Sequence, residues 1–345
     1  MGEYLDRWLS DSVKDTVRTC TLERHEQAIR LHITPALGDL KLKALSPAHV
    51  QVLYRDRLDA GLSPATVQKI HAILRKALDQ AVRWSLVPRN ATEAVKAPRP
   101  TPDEIRPLNS EQVKVLLDAA IGERFAAIYV MAVHTGLRQG ELLGLKWEDV
   151  DLENGFIQVR RTLSRYRGRL RLSEPKTKRS RRTVRLTESA VEALREHLAR
   201  QMAQMEIFGD LYKDQGPVFA TQKGTLVNPS NLRKRCFAPL FKKAGLPSIR
   251  FHDLRHTCAT LLLTSNVNPK IVSEMLGHAT IAITLDTYSH VLPNMQSGAT
   301  RALEEMLRQR VAVRRARDLS QVLRGPSILP AKHHVSKVES RDSNP

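Results

Sequence analysis

His252-Asp253-Leu254-Arg255-His256 is followed by Leu276-Gly277-His278 and then by Asp286-Thr287-Tyr288-Ser289-His290. Upstream stands Thr135-Gly136-Leu137-Arg138-Gln139-Gly140-Glu141, and between the two regions lies Pro175-Lys176-Thr177-Lys178. The order arginine, lysine, His-x-x-Arg, histidine, tyrosine gathers several cations around one phenol. A free phenol ionises at about pH 10, so a tyrosine attacks a phosphodiester readily only where cations stabilise its oxyanion. Negative charge also builds on the non-bridging oxygens of the transition state, and planar arginine forks match that geometry.

Each residue type then suggests a place in such a reaction. Arg138 and Arg255 are the expected phosphate clamps. Arg138 opens a helical segment whose positive end would add to its field, and Glu141, three residues on, can orient its guanidinium. His252 and Arg255 are three apart, so one helical face carries both to the same phosphate. His278 would donate to a non-bridging oxygen, and Tyr288 is the expected nucleophile. His256 is ranked below His252 and reads as a buried structural histidine.

Lengthwise, residues 1–97 look like a small bundle of about four helices. Ser46-Pro47, Ser63-Pro64, Asn228-Pro229 and Asn268-Pro269 each offer a capping side chain followed by a proline that presets the first helical φ. Between Thr66 and Trp84, Val67, Ile70, Leu74, Ala77, Leu78 and Ala81 make an apolar stripe, while Lys69, Lys76 and Arg83 form a basic one. Residues 98–107, rich in proline, suit an inter-domain linker. The second domain is expected over residues 108–292, with Asn109 capping its first helix. Alternation at Phe156–Arg160, Arg169–Leu172 and Thr183–Leu186 predicts a small antiparallel sheet. A final helix is expected within residues 293–317 and a disordered tail over residues 318–345. The fold class is therefore mainly α with a small antiparallel β-sheet.

Lys+Arg number 55 against 36 Asp+Glu, a formal net charge of +19, and the pI is about 10.2. A polyanionic partner, nucleic acid first, is implied. Lys178, Arg179 and Arg181 join Lys69, Lys76 and Arg83 as candidate DNA contacts. The three cysteines, Cys20, Cys236 and Cys258, show no paired spacing and read as thiols of a reducing cytosol. No apolar stretch is long enough for a membrane span and no leader opens the chain, so a cytoplasmic, nucleoid-associated protein is expected.

The ordered set and its spellings resemble the tyrosine recombinase (phage integrase) family. Tyr4-Leu-Asp-Arg-Trp8-Leu, Pro35-Ala-Leu-Gly38-Asp and Leu62-Ser-Pro-Ala-Thr66 look like that family's helical, SAM-like core-binding domain. The resemblance implies a C-shaped clamp on double-stranded DNA and four protomers exchanging strands through a Holliday junction. It also implies a covalent 3′-phosphotyrosine, with neither metal nor cofactor nor ATP. His252 then assists proton transfer at the tyrosine, and Lys176 is the general acid for the departing 5′-oxygen. Twelve basic residues against one acid between Arg160 and Arg185 would depress that lysine's pKa. Lys178 is the alternative acid. The helix after the tyrosine would pack on a neighbouring protomer, and directionality or DNA-bending factors are possible partners. The family's arm-binding domain is expected to be absent or removed.

Rival readings are a zinc hydrolase built on His252 and His256, a non-catalytic DNA-binding module, a type IB topoisomerase and a Xer-type resolving recombinase. Arg255 on the same face would repel a metal, and a binding module leaves the ordered set unexplained.

Overall fold

The computed structural model describes residues 1–101, 105–174, 181–289, 300, 301 and 303–308. α1 (Gly2–Trp8) continues into a π-helical turn, Leu9–Val13. α2 (Thr19–Ala28) runs through a second π turn, Ile29–Ile33, into α3 (Thr34–Leu37). Pro35 has no N–H to give the turn before it, and the widened π turn absorbs that loss. α4 (Pro47–Asp59) opens where the backbone N–H of Ser46 donates to His49 Nδ1 at 3.2 Å. α5 (Pro64–Arg83) opens where the Ser63 hydroxyl accepts from the N–H of Thr66 at 3.3 Å.

The expected stripe on α5, with Ile73 added, is buried against Leu5, Trp8, Ile29, Ile33, Val50, Leu53 and Tyr54. A fully buried side chain of this kind contributes about 1.5–3 kcal/mol, so packing rather than helix propensity holds α5. Tyr4 Oη donates to the carbonyl of Ala77 at 2.5 Å, fixing α1 on α5. These four helical stretches share one apolar core running from Met1 to Val95.

A second core begins at Leu108. It is built on α6 (Ser110–Ala119), α7 (Ala126–Thr135), the short α8 (Gln139–Leu143) and the long α9 (Glu188–Phe208). Asn109 caps α6, its side chain accepting from the N–H of Gln112 at 2.8 Å. α7 is buried almost all round, as expected of its unbroken apolar run. Between α8 and α9 lie β1 (Val150–Asp151), β2 (Phe156–Val159), β3 (Thr162–Tyr166), β4 (Arg169–Ser173) and β5 (Arg182–Arg185). They form two antiparallel units, β1-β2-β5 and the hairpin β3-β4, where the sequence suggested three strands in one sheet. Arg167 and Gly168 at the hairpin tip both have positive φ, 44° and 78°, which matches the right-handed strand twist.

The chain finishes the core with α10 (Pro229–Asn231), α11 (Ala238–Lys243), α12 (Asp253–Thr264), α13 (Pro269–Leu276) and α14 (Ile281–Tyr288). Asn228 and Asn268 cap α10 and α13 with their side-chain oxygens, as their Asn-Pro spelling predicted. A third π turn, Leu232–Phe237, precedes Pro239 much as the earlier one precedes Pro35. The hairpin tip meets α2: the N–H of Arg167 donates to Glu23 at 3.0 Å, and its guanidinium lies 3.6 Å from Glu26. Residues 300, 301 and 303–308 are helical, within the span expected for the last helix. The rest of that span and residues 318–345 lie outside the described residues. Among the described residues no helix is long and apolar enough to cross a membrane.

Candidate active site

Two helices end on left-handed glycines, and each delivers a candidate side chain just beyond its end. Gly136 closes α7 at φ 61°, where a Cβ would sit 2.4 Å from Leu276 Cδ2. Gly277 closes α13 at φ 68°, where a Cβ would come within 2.8 Å of Arg182 Nη1. Only glycine meets both demands, the backbone conformation and the close neighbour. Arg138 follows the first turn and His278 the second, so Gly-Leu-Arg and Gly-His are helix ends that each deliver a candidate side chain to the cleft.

Arg138 is the N-cap of α8 and not part of the helix, as its segment had suggested. Its Nη1 donates to Glu141 Oε1 at 2.8 Å and its backbone N–H to Oε2 at 3.1 Å. Arg182 also reaches this carboxylate, Nη2 to Oε2 at 3.0 Å, while its Nε donates to the carbonyl of Met275 at 2.6 Å. Burial would raise the Glu141 pKa, but Arg182 and Arg138 outweigh it and hold the carboxyl below the usual range. The sequence reading missed Arg182, one basic residue among twelve. Its parity with buried Val184 on β5 was the available signal. Arg181, expected on DNA, is exposed and paired with Glu174 at 2.5 Å.

α12 supplies three more groups. His252 is its N-cap and faces solvent, while Arg255 is 3% exposed. Asp253 holds the turn in place, taking the N–H of Arg250 at 2.8 Å and its guanidinium at 2.9 Å. Arg255 Nη1 donates to the carbonyl of Gly136 at 2.8 Å, which ties α12 to the end of α7. Its Nη2 is buried and has no partner among the described residues. Burial and the nearby Arg138 push the Arg255 pKa down to about 9, so it is still cationic at neutral pH. Although the residue is exposed, its ring is desolvated against the cleft wall, and that, then Arg255 and Arg138, holds the His252 pKa below its ordinary value.

His278 Nδ1 is bonded to Thr284 Oγ1 at 2.7 Å, and Thr284 is fully buried on α14. Burial and the surrounding arginines push the His278 pKa down to about 4, so at neutral pH it is an uncharged ring. Tyr288, at the end of α14, is 1% exposed, and its hydroxyl is 2.8 Å from His256 Nδ1. Burial pushes this phenol up to about 12 against the pull of Arg255. His256 was expected to be a core histidine. It is half-buried and sits on the nucleophile candidate, a placement that depends on where α14 packs and that no local spelling reveals.

Arg138, His252, Arg255, His278 and Tyr288 line one open cleft of about 540 Å³. Arg18, from the loop before α2, lines it too. Lys69, Lys76 and Arg83 are exposed on α5 and are not part of the cleft. Lys176, Lys178 and Arg179 lie outside the described residues. Chemically the cleft offers guanidinium and neutral imidazole donors to an anion, with a phenol on its wall. Among the described residues no group of three His, Cys, Asp or Glu side chains is placed to hold a metal ion.

A family model described as the phage integrase family matches residues 106–295, and one for a phage integrase N-terminal SAM-like domain matches residues 1–58. A XerC-like tyrosine recombinase of Caldanaerobacter subterraneus subsp. tengcongensis is 32% identical over 325 residues, covering 89% of this chain and 83% of the relative. The ICEBs1 integrase of Bacillus subtilis is 26% identical over 288 residues, covering 83% of this chain and 77% of the relative. The Tn1549 transposon integrase, solved in complex with a circular intermediate DNA, matches with a TM-score of 0.75 at 22% identity, covering 87% of this chain and 98% of that one. A lambda integrase dimer bound to a COC′ core site matches with a TM-score of 0.60 at 20% identity, covering 81% and 96%. At such identities the structural likeness speaks for the fold.

Proposed function

The chain belongs to the phage integrase family of tyrosine recombinases, and from that premise we propose that it cuts and rejoins double-stranded DNA through a covalent bond between Tyr288 and a 3′-phosphate. Arg138 and Arg255 hold the scissile phosphate, with Glu141 fixing the first of them. His278 donates to a non-bridging oxygen, and His252 lies at the cleft mouth, where it assists proton transfer. Lys176 protonates the departing 5′-oxygen. The diester's energy is kept in the phosphotyrosine, so neither metal nor ATP is required, and a second exchange resolves a Holliday junction.

The observation that carries this reading is the buried, unpartnered Nη2 of Arg255 beside the cleft that Tyr288 also lines. A charged donor left unsatisfied inside a protein costs upwards of about 1–3 kcal/mol, and a bound phosphate oxygen would recover it. We further assign residues 1–97 and 108–292, joined by 98–107, to the two arms of a clamp on the duplex. Four protomers assemble on paired attachment sites in the cytoplasm, on the nucleoid, with the helix in 293–317 docking on a neighbour. Lys69, Lys76 and Arg83 contact the backbone from α5. The name of the XerC-like relative favours a second reading, a Xer-like resolving recombinase with the same chemistry.

The test is a pool of nicked duplexes of randomised sequence. Wild-type protein should trap a subset as an adduct that survives denaturation, with the attached peptide containing Tyr288. Tyr288→Phe should bind the recovered duplex and form no adduct; an adduct from that variant refutes the assignment.

A further inference from the structure

Resting on the reading of Tyr288 as nucleophile, we propose that His256 is a catalytic residue that accepts the Tyr288 phenolic proton as the tyrosine attacks. Tyr288 is 1% exposed, and among the described residues its hydroxyl has one hydrogen-bond partner, His256 Nδ1 at 2.8 Å. The direction of that bond follows from burial. Were Nδ1 the donor, the phenolic hydrogen would be buried without an acceptor, at a cost of about 1–3 kcal/mol. The phenol therefore donates, and the ring carries its own proton on Nε2.

The surroundings keep the imidazole able to receive that proton. Burial and the nearby His252 push its pKa down to about 4, so it is neutral at pH 7, and a phosphate anion in the cleft would supply the opposite charge that raises its basicity for the transfer. His252 stands edge-on to it, with ring centroids 5.1 Å apart, and Tyr288 is tilted at 5.7 Å. The other charged or titratable neighbours are Arg255 on its own helix, Asp253 and Arg250 at that helix's start, and His278 on the turn before α14. His252, the histidine expected to serve the tyrosine, has no hydrogen bond to it among the described residues. In the step itself the bond from Tyr288 Oη to phosphorus forms and the bond from phosphorus to the 5′-oxygen breaks. The phenolic proton passes to His256 Nδ1 and later, by way of His252 at the cleft mouth, to solvent, and the 5′-oxygen takes its proton from the general acid.

The experiment uses the full chain and the duplex trapped by wild type, in single turnover over pH 6–9. A second version of the duplex carries sulfur at the 5′-bridging position, which leaves without protonation. His256→Gln keeps an acceptor of hydrogen bonds but cannot take a proton. It should bind the duplex normally and cleave roughly 10²–10⁴-fold more slowly, with a rate that rises about tenfold per pH unit as hydroxide replaces the base. The sulfur substrate should not rescue it. Wild-type cleavage of the sulfur substrate, which needs no variant to fold, should be flat over the same range. Cleavage by His256→Gln at the wild-type rate, its rescue by sulfur, or a tenfold-per-unit rise in the wild type overturns the role of His256. Absence of any adduct from wild type, by contrast, overturns the reading of Tyr288 and the inference with it.

Discussion

Replacing Glu141 by glutamine puts the network beneath the cations on trial. Glu141 and Arg182 have side chains 4% and 7% exposed, so water does little to screen their attraction. Arg138 is 40% exposed, and its share must be discounted. Glu141→Gln keeps the shape but puts an amide donor where one guanidinium already donates. Removing one member of a buried pair costs about 3–5 kcal/mol, and the oxygen that remains places this change near about 3 kcal/mol. In a chain of 345 residues that lowers Tm by about 4 °C. The pH dependence has a definite sign. The folded pKa of Glu141 lies below 4.5, so its stabilisation is complete above pH 4.5 and is lost as the pH falls through the lower folded value. Melting followed from pH 7 to pH 3 should show a gap between wild type and variant that closes on acidification. Equal Tm values at pH 7, or a gap that persists in acid, would refute the reasoning.

Arg255→Lys keeps a charge but loses the fork that holds the Gly136 carbonyl and that we propose for the phosphate; adduct formation should fall roughly 10²–10³-fold while duplex binding weakens far less, and parallel losses would count against a clamp. Gly277→Ala forces φ 68° on a residue with a Cβ and crowds Arg182, so Tm should fall by an amount reflecting about 1–2 kcal/mol or more and His278 should be misplaced; an unchanged Tm would show that the turn is not constrained. His197, 7% exposed, has a pKa pushed down to about 4 by burial. It is neutral when folded, so its contribution is full above pH 6.5 and declines as the pH falls from there toward 4. A titration of its ring resonances showing a midpoint near that of free histidine would contradict this.

The features legible in the sequence were those set by local chemistry. All four capped prolines start helices because each presets its own first turn. The stripe on α5 is core because a 3.6-residue period can bury only one face. The ordered cations and Tyr288 were legible as a set, and the cleft brings together those that are described. What escaped was fixed by packing between distant segments. Arg182 could be told from eleven other basic residues only by its parity with Val184. Thr284 is an ordinary helical threonine until His278 is laid beside it. His252 and Arg255 were placed on one helical face, yet His252 caps the helix and His256 turns to α14. The β3-β4 hairpin left one local clue, Arg167-Gly168, whose paired positive φ angles separate it from the other sheet.

Arg255 and His256 are neighbours in the chain, and on an α-helix neighbours point about 100° apart. One therefore turns toward the end of α7 and the other toward α14. On the proposed reading, a single turn of α12 thus sets the bearing of the phenol relative to the anion's seat, as an in-line displacement would require of its two partners. Inserting one residue between them would swing that bearing through the same angle while leaving every reactive group in the chain.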